Sequence, residues 1–152
     1  MITIIRTMSD NADFQQLVKA LDIDLKVRDG EEHAFYAQFN GLDMIRHVIV
    51  AYQGSHAVGC GAIKAYDSET MEIKRMFVVT EERSKGIASI VLSALEDWAN
   101  ELGCKKCILE TGNKQPEAIA LYFKNDYVRI PNYAQYAGIE NSVCLEKRLF
   151  VE

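Results

Sequence analysis

Long apolar runs and an excess of basic residues are both absent from this chain of 152 residues. No apolar stretch is long enough to span a bilayer, so the sequence predicts no transmembrane helix. The net charge is −5 at pH 7, which argues against general nucleic-acid binding because that requires a basic face to displace counterions from phosphates. The chain does not begin with the basic, apolar and small-residue pattern of a signal peptide, so we expect a cytoplasmic protein.

Cysteines are few, and their spacing argues against a metal centre. The four are Cys60, Cys104, Cys107 and Cys144. Only one C-x-x-C pair occurs, and no second C-x-x-C or H-x-x-H pair completes a zinc set. That pair lies just before and within a strand-like run, whereas a redox pair usually opens a helix. We therefore predict reduced cysteines packed in or near the core, and no metal.

Two familiar phosphate-binding motifs are also missing. A P-loop requires a Gly-Lys-Ser or Gly-Lys-Thr sequence, and neither occurs. The nearest approach to a dinucleotide fingerprint, Gly59-Cys60-Gly61, lacks the third glycine and lies inside a strand pattern. Neither a P-loop nor a Rossmann-type dinucleotide site is therefore predicted.

The chain does contain a different strand-turn-helix sequence, Arg83-Ser84-Lys85-Gly86-Ile87-Ala88. It follows the apolar run Met76–Val79 and opens a helical pattern from Ile87 to Leu102. The first backbone N–H groups of a helix have no intrahelical partners and lie at the positive end of its dipole, so the turn can hold an anion. Gly86 lets the backbone approach a ligand closely. These residues predict recognition of a phosphorylated ligand.

Apolar periodicity predicts an α/β fold with a mixed, mostly antiparallel central sheet flanked by helices, in a single domain over residues 1–152. Strands are predicted at Ile2–Thr7, His47–Tyr52, Ala57–Tyr66, Met71–Val79, Lys106–Glu110, Val128–Pro131 and Val143–Leu149. Helices are predicted after Ser9 or Asp10, which can cap the first, from Ile87 to Leu102, and from Pro116 after a turn at Thr111–Lys114. Asp22–Asn40 is predicted to be a long connection that contains some helix.

Together these segments resemble the GCN5-related N-acetyltransferase (GNAT) superfamily. Arg83–Ala88 is similar to its R/Q-x-x-G-x-G/A signature, whose loop holds the pyrophosphate of acetyl-coenzyme A (acetyl-CoA). Glu72–Val78 resembles its central strand, Leu109–Gly112 the strand after the phosphate helix, and Ala118–Tyr127 its A-x-x-L-Y-x-x-x-G-F ending. Asp126 stands where the family usually has glycine, and aspartate also tolerates turn conformations. The resemblance implies the GNAT, or acyl-CoA N-acyltransferase, fold.

The resemblance also implies where acetyl-CoA binds as the acetyl-donor cosubstrate. Backbone groups of the central strand would contact the pantetheine arm, and the phosphate loop would contact the pyrophosphate. Val78 is the candidate N–H donor that polarises the thioester carbonyl. The implied cosubstrate-binding residues are Met76, Phe77, Val78, Arg83, Ser84, Lys85, Gly86, Ile87, Ala88, Asn113, Gln115 and Tyr122. Capping and turn formation are an alternative explanation for Asn113 and Gln115.

Two residues fall on positions that the resemblance makes catalytic. Tyr122 matches the motif tyrosine whose phenol lies near the sulfur and protonates the leaving thiolate. Its alternative is packing on the sheet. Glu72, fourteen residues before Gly86, corresponds to a glutamate that some members use as the base. Its alternatives are pairing with Lys74 or Arg75, and ordered water as the base.

The acceptor site rests on weaker signals. Asp22–Asn40 carries five carboxylates against two basic residues, which could favour a cationic amine, although solvated charge is the commoner explanation. Aromatic and histidine side chains in this segment and in the late loop Asn132–Gly138 are candidate pocket walls. They are His33, Tyr36, Tyr133 and Tyr136. They could equally anchor their loops or a dimer contact.

The leading hypothesis is an acetyl-CoA-dependent N-acetyltransferase, a transferase of the acyltransferase class, that acts on the primary amine of a small molecule by direct attack in a ternary complex. One alternative is a non-catalytic acyl-CoA-binding sensor or interaction module. Another is a protein N-acetyltransferase that modifies a lysine or an N-terminus. The resemblance also allows a homodimer, and neither nucleic acid nor membrane is an expected partner.

Overall fold

The structure, a computed structural model, describes residues 1–29 and 45–149. Within these ranges one seven-stranded sheet has the strand order β1-β2-β3-β4-β5-β7-β6. The strands are β1 Ile2–Thr7, β2 His47–Gln53, β3 His56–Asp67, β4 Thr70–Val78, β5 Lys106–Gly112, β6 Val128–Ile130 and β7 Ser142–Arg148. The helices are α1 Ala12–Asp29, α2 Ile87–Glu101 and α3 Pro116–Lys124, with short 3-10 turns at Thr80–Glu82 and Ala134–Tyr136. The predicted α/β fold with a mixed, mostly antiparallel sheet is confirmed.

A single short parallel pairing joins the two halves of this sheet. Strands β1 to β4 pair antiparallel in sequence order, and β5, β7 and β6 form a second antiparallel group. Between them β4 and β5 run parallel, in register only from Thr70 opposite Lys106 to Glu72 opposite Ile108. Beyond that point β4 continues to Val78 and β5 to Gly112 without pairing to each other. The sheet therefore opens into a cleft between two strands at its centre.

The two faces of the sheet bury different helices. On one face α2 places Val91, Leu92 and Leu95 in the same core as Ile73 of β4 and Leu109 of β5. On the other face α1 places Phe14, Leu17 and Val18 against Val48, Val50 and Ala62. Because side chains alternate along a strand, Glu72 and Glu110, next to Ile73 and Leu109, face the α1 side. Both carboxylates therefore lie beside the central cleft on one face.

A bulge interrupts β4 where it passes the cleft. Cys60 pairs with Phe77 and Ala62 with Lys74, so Arg75 and Met76 together oppose Gly61. Arg75 adopts a left-handed φ of 61°. A Cβ on Gly61 would lie 2.6 Å from the Met76 sulfur and 2.7 Å from a Leu95 methyl carbon. Glycine at this position therefore lets α2 pack closely on the bulged strand.

The start of α1 differs from the prediction. Neither Ser9 nor Asp10 caps the helix. The cap is Asn11, whose Oδ1 accepts the Phe14 N–H at 2.9 Å. Ser9 Oγ instead accepts the Ile45 N–H at 3.0 Å. This bond connects the segment before α1 to the segment before β2.

Two further boundaries also shift. Helix α1 continues to Asp29, so the first part of the predicted Asp22–Asn40 connection is regular helix. The predicted turn at Thr111 and Gly112 belongs to β5, because both residues pair with β7.

All four cysteines are free and buried, as the sequence predicts. Burial raises the pKa of the Cys60 thiol to about 12, an effect that the nearby Arg75 charge partly opposes. Burial likewise raises the pKa of Cys107 to about 12. Across the described ranges, no helix combines the length and apolarity that a membrane crossing requires.

Candidate active site

The cleft between β4 and β5 forms a cavity of about 680 Å³. Its walls come from α1, from β4, from the loop before α2, from the end of β5 and from α3. Twelve of the residues singled out in the sequence line it: Glu72, Met76, Phe77, Val78, Arg83, Ser84, Gly86, Ile87, Ala88, Gln115, Tyr122 and Tyr136. The loop and both candidate catalytic side chains therefore share one space.

The loop before α2 brings backbone amides that have no intrahelical acceptor to this cavity. Ser84 and Gly86 have left-handed φ values of 66° and 82°. The N–H of Ile90 makes the first bond of the helix, to the Gly86 carbonyl at 3.1 Å, so the preceding amides have no intrahelical acceptor. A Cβ added to Gly86 would meet nothing within 4 Å. Open space, unused helix amides and the positive end of the α2 dipole fit an anionic phosphate group.

Arg83 ties this loop to the end of β4. Its Nε donates to the Val78 carbonyl at 2.9 Å, and its guanidinium lies 5.5 Å from the centre of the Phe77 ring. One terminal nitrogen is 3.7 Å from Asp24 Oδ2 on α1. The arginine therefore braces the turn as well as contributing positive charge to it.

The backbone of Val78 faces the cleft. The next residue, Val79, donates its N–H to the Val58 carbonyl on β3 at 2.9 Å. Because successive backbone groups of a strand point to opposite edges, the N–H and carbonyl of Val78 point away from β3. The bond from Arg83 Nε to the Val78 carbonyl agrees with this direction. An N–H donor thus lies on the unpaired edge of β4.

Tyr122 lies on α3 and is only 6% exposed. Its ring makes an edge contact with Tyr127 at a centroid distance of 5.7 Å. Burial raises the pKa of Tyr122, and the charge of Glu110 adds to that effect. The phenol therefore keeps its proton at neutral pH.

Glu72 is buried and held by a tyrosine from the other half of the sheet. Tyr133 donates its hydroxyl to Glu72 Oε2 at 2.6 Å, and Lys74 Nζ lies 3.6 Å from Oε1. Burial raises the pKa of Tyr133, and the Glu72 charge raises it further, so this hydroxyl remains a donor. The Tyr133 ring packs edge-on against Tyr66 and Tyr136, at centroid distances of 5.4 and 5.7 Å. The carboxylate is thus fixed at one oxygen.

These elements match a known protein family. Residues 14–127 match the family described as the acetyltransferase (GNAT) family. The chain belongs to this family. It is 38% identical over 103 residues to the IAA acetyltransferase of Azospirillum brasilense, an alignment that covers 66% of this chain and 67% of that relative. It is 33% identical over 101 residues to an uncharacterized N-acetyltransferase of Bacillus subtilis, over 65% of this chain and 67% of the relative.

Solved GNAT structures share the fold along the whole chain. A Klebsiella pneumoniae protein assigned as an acyl-CoA N-acyltransferase is 30% identical, with a TM-score of 0.83 and 99% of both chains covered. A GNAT acetyltransferase of Elizabethkingia anophelis, solved with acetyl-CoA bound, has a TM-score of 0.68 at 20% identity over 97% of this chain and 98% of its own. The second likeness shows the fold alone. The expectation of a GNAT-fold acyltransferase is confirmed.

One departure from the GNAT pattern has a clear structural basis. Asp126, at the position where the resemblance expects glycine, has a left-handed φ of 73°. It follows the end of α3, where the Asp126 N–H donates to the Phe123 carbonyl at 3.2 Å. Aspartate is one of the few residues with a side chain that adopts this conformation readily. The turn is therefore preserved without glycine.

The remaining sequence-predicted residues lie elsewhere. Lys85 and Asn113 are not among the described cavity-lining residues: Lys85 Nζ is 2.8 Å from Glu82 Oε2, and Asn113 Nδ2 donates to Asn141 Oδ1 at 3.1 Å. Tyr133 does not line the cavity itself and reaches it through Glu72. His33 and Tyr36 fall outside the described residues. In the part of the chain that is described, no cluster of three or more metal-ligating side chains occurs.

Several cavity residues are missing from the sequence predictions. Leu21, Asp24 and Leu25 line the cavity from α1, and Glu110 lines it from β5. Asp22 and Asp24 each pair with an arginine, Asp22 with Arg75 and Asp24 with Arg83. The polar doublet Lys74-Arg75, which breaks the alternation of β4, is a local signal for the bulge. The residues of α1 carry no such signal, because the apolar spacing that marks the start of the helix fades after Leu21.

Proposed function

We propose that this GNAT protein is an acetyl-CoA-dependent N-acetyltransferase that transfers an acetyl group to a primary amine of a small molecule by direct attack in a ternary complex. The observation that carries the proposal is the common cavity, lined by the phosphate loop, by Tyr122 and by Glu72. The 38% identical relative named as an IAA acetyltransferase and the N-acetyltransferase of Bacillus subtilis support it.

Binding of the cosubstrate would rest on the backbone. The first amides of α2, with the open space at Gly86, would hold the pyrophosphate, and Arg83 would add positive charge. The unpaired edge of β4 would align the pantetheine arm along the cleft. Acetyl-CoA supplies an acyl group activated as a thioester. An N–H donor aimed at the carbonyl oxygen, for which Val78 is the candidate, contributes on the order of 3 kcal/mol to lowering the barrier.

Transfer requires two proton movements. The acceptor nitrogen loses a proton as it forms the C–N bond, and the sulfur gains one as the C–S bond breaks. Glu72 would accept the first proton at Oε1, which lies 3.6 Å from Lys74 Nζ, since Oε2 already accepts the Tyr133 hydroxyl. Tyr122, buried and with a raised pKa, would donate the second from its phenol oxygen. The same cavity thus offers an acid and a base.

The first test is calorimetric titration of the protein with acetyl-CoA. Gly86→Glu places a carboxylate in front of the helix amides, and Gly86→Ala imposes the same left-handed strain without the charge. We expect micromolar binding by the wild type, a loss of about a hundredfold or more in Gly86→Glu, and a loss below about tenfold in Gly86→Ala. A folded wild-type protein that does not bind acetyl-CoA contradicts the proposal.

The second test is release of free coenzyme A thiol with a panel of small primary amines. We expect turnover with at least one amine, and a Glu72→Gln variant that binds acetyl-CoA normally but turns over slowly. Tight cosubstrate binding with no transfer to any amine would contradict the assigned acceptor class.

A further inference from the structure

We propose that the guanidinium of Arg75 is a carboxylate-binding site for the acceptor, so that the acceptor class is a primary amine that also carries a carboxylate. This inference rests on the proposed function and specifies its substrate. Arg75 lies in the bulge of β4 and lines the same cavity as Glu72 and Tyr122.

The guanidinium is buried, with part of its hydrogen-bonding capacity unused. Its side chain is 3% exposed. Nη1 donates to Asp22 Oδ1 at 3.1 Å, while Nη2 is buried with no hydrogen-bond partner in residues 1–29 and 45–149. Buried charged donors are almost always satisfied, and an exception calls for a ligand or another specific cause. A planar guanidinium with a free terminal nitrogen is suited to bind a carboxylate oxygen.

The backbone holds Arg75 in an unfavourable conformation at this place. Its φ of 61° lies in the left-handed region, which long side chains rarely adopt. The Cys60 thiol donates to the Arg75 carbonyl at 3.3 Å, and the ion pair with Asp22 fixes the other end of the residue. Such strain persists only when its surroundings impose it, and it concentrates at functional sites. Strain and an unsatisfied donor coincide at one residue of the cavity wall.

The position along β4 separates this site from the phosphate loop. Arg83 and the start of α2 follow the carboxyl end of β4, whereas Arg75 lies three residues before that end, in the bulge. Glu72 lies three residues on the other side and is the proposed base for the amine. An acceptor with an ammonium group at Glu72 and a carboxylate at Arg75 would give each residue a second partner, beside Lys74 at Glu72 and Asp22 at Arg75.

The test compares amines that differ only in the carboxylate. The pairs are 4-aminobutyrate with butylamine and phenylalanine with phenethylamine. We expect the wild type to prefer the carboxylated member of at least one pair by about tenfold or more in kcat/KM, the size of one charge-assisted hydrogen bond. Arg75→Met should abolish that preference, Arg75→Lys should keep part of it, and the Kd for acetyl-CoA should stay within about twofold.

Three outcomes would overturn the site while leaving the proposed function intact: equal use of both members of each pair, an Arg75→Met variant that keeps the preference, or a tenfold loss of acetyl-CoA affinity in that variant. The last result would assign Arg75 to the cosubstrate. If no amine is acetylated, the proposed function is contradicted. The carboxylate site at Arg75 is then tested by the binding experiment alone.

Binding is measured without turnover on the wild-type protein loaded with coenzyme A. The probes are 4-aminobutyrate and 3-phenylpropanoate, and the readout is the NMR signal of the Arg75 guanidinium protons, assigned with Arg75→Lys. We expect saturable shifts and slower solvent exchange of these protons, and no response to butylamine. Unchanged guanidinium signals would overturn the proposal. Because the measurement uses the wild-type protein, it decides the question even if Arg75→Met does not fold.

Discussion

The two ends of the cavity are built in different ways. At one end the phosphate loop, Arg83–Ala88, is continuous in sequence and offers mainly backbone groups. At the other end Glu72 and Arg75 line the cavity, and Tyr133 binds Glu72 from outside it. These three side chains, here called the acceptor wall, are brought together from distant parts of the sequence. Tyr133 is 61 residues from Glu72, and Asp22 is 53 residues from Arg75. A backbone-built site tolerates side-chain changes, whereas a site built from side chains depends on each group.

The largest effect is expected from Tyr122→Phe, a substitution in the cavity that the phosphate loop and the acceptor wall share. Loss of the phenol proton removes the proposed general acid, so kcat should fall by about 100-fold or more. The Kd for acetyl-CoA should stay within about twofold, because the loop is untouched. Phe123→Leu, on the same helix with a half-exposed side chain, is the control and should change neither. Steady-state kinetics and calorimetry measure both quantities. Normal turnover of Tyr122→Phe would remove the acid assignment.

Tyr133→Phe tests whether the acceptor wall depends on single groups. It removes the 2.6 Å bond that fixes Glu72 and keeps the aromatic packing. We expect kcat/KM for the amine to fall about tenfold, because a charged hydrogen bond that orients the proposed base is lost. Tyr66→Phe, which keeps the ring contact with Tyr133, is the matched control. Equal behaviour of the two variants would show that Tyr133 only packs.

Ser84→Gly tests the opposite property of the phosphate loop. Glycine removes a side chain and accepts the left-handed φ of 66° without strain. Acetyl-CoA affinity should change by less than about twofold, and the free energy of unfolding by less than about 1 kcal/mol, because relief of strain offsets the added chain entropy. Calorimetry and urea denaturation measure the two effects. A tenfold loss of affinity would mean that the Ser84 hydroxyl contacts the ligand.

The smallest effect is expected from a change of pH, which tests the buried state of Tyr122 and Tyr133. Burial raises the pKa values of Tyr122 and Tyr133, so both keep their protons and activity should show no tyrosine-dependent loss between about pH 7 and about pH 9. The sign for stability follows. The unfolded tyrosines ionise near pH 10 while the folded ones stay neutral, so stability is fully present below about pH 10 and falls above it.

Urea denaturation across this pH range, with tyrosinate absorbance as the probe, measures the effect on stability. Tyr127, whose pKa burial also raises, should contribute to the same loss, so Tyr127→Phe should flatten the alkaline slope. An alkaline slope that starts well below pH 9 would contradict the buried state of these phenols.

The strands and the phosphate loop could be predicted from the sequence because both depend on local patterns. β-rich runs bounded by turn residues, with alternation in β1, place each strand within about two residues of its observed bounds. The GNAT resemblance identifies the loop from six consecutive residues. The extension of α1 to Asp29 has no comparable signal, since its polar second half is stabilised by tertiary contacts such as the pairing of Asp22 with Arg75.

The acceptor wall was only partly predictable for the same physical reason. Glu72 and Tyr133 were both candidates, but their bond depends on how β7 and the loop before it fold back beside β5. The sequence suggests Arg75 only as a partner for Glu72, whereas in the structure Arg75 lies in the bulge and pairs with Asp22. No spacing rule in a single sequence reports a contact that depends on a left-handed residue in the middle of a strand.

The short parallel pairing between β4 and β5 also has a mechanical consequence. Within residues 1–29 and 45–149, three residue pairs join β4 to β5, so separation of the two antiparallel halves should require less free energy than global unfolding. We therefore expect the cleft to widen more readily than either antiparallel half deforms. A ligand that contacts both β4 and β5 would restrict opening of the cleft between them. Its binding should therefore slow the amide hydrogen exchange of β4 residues beyond Glu72.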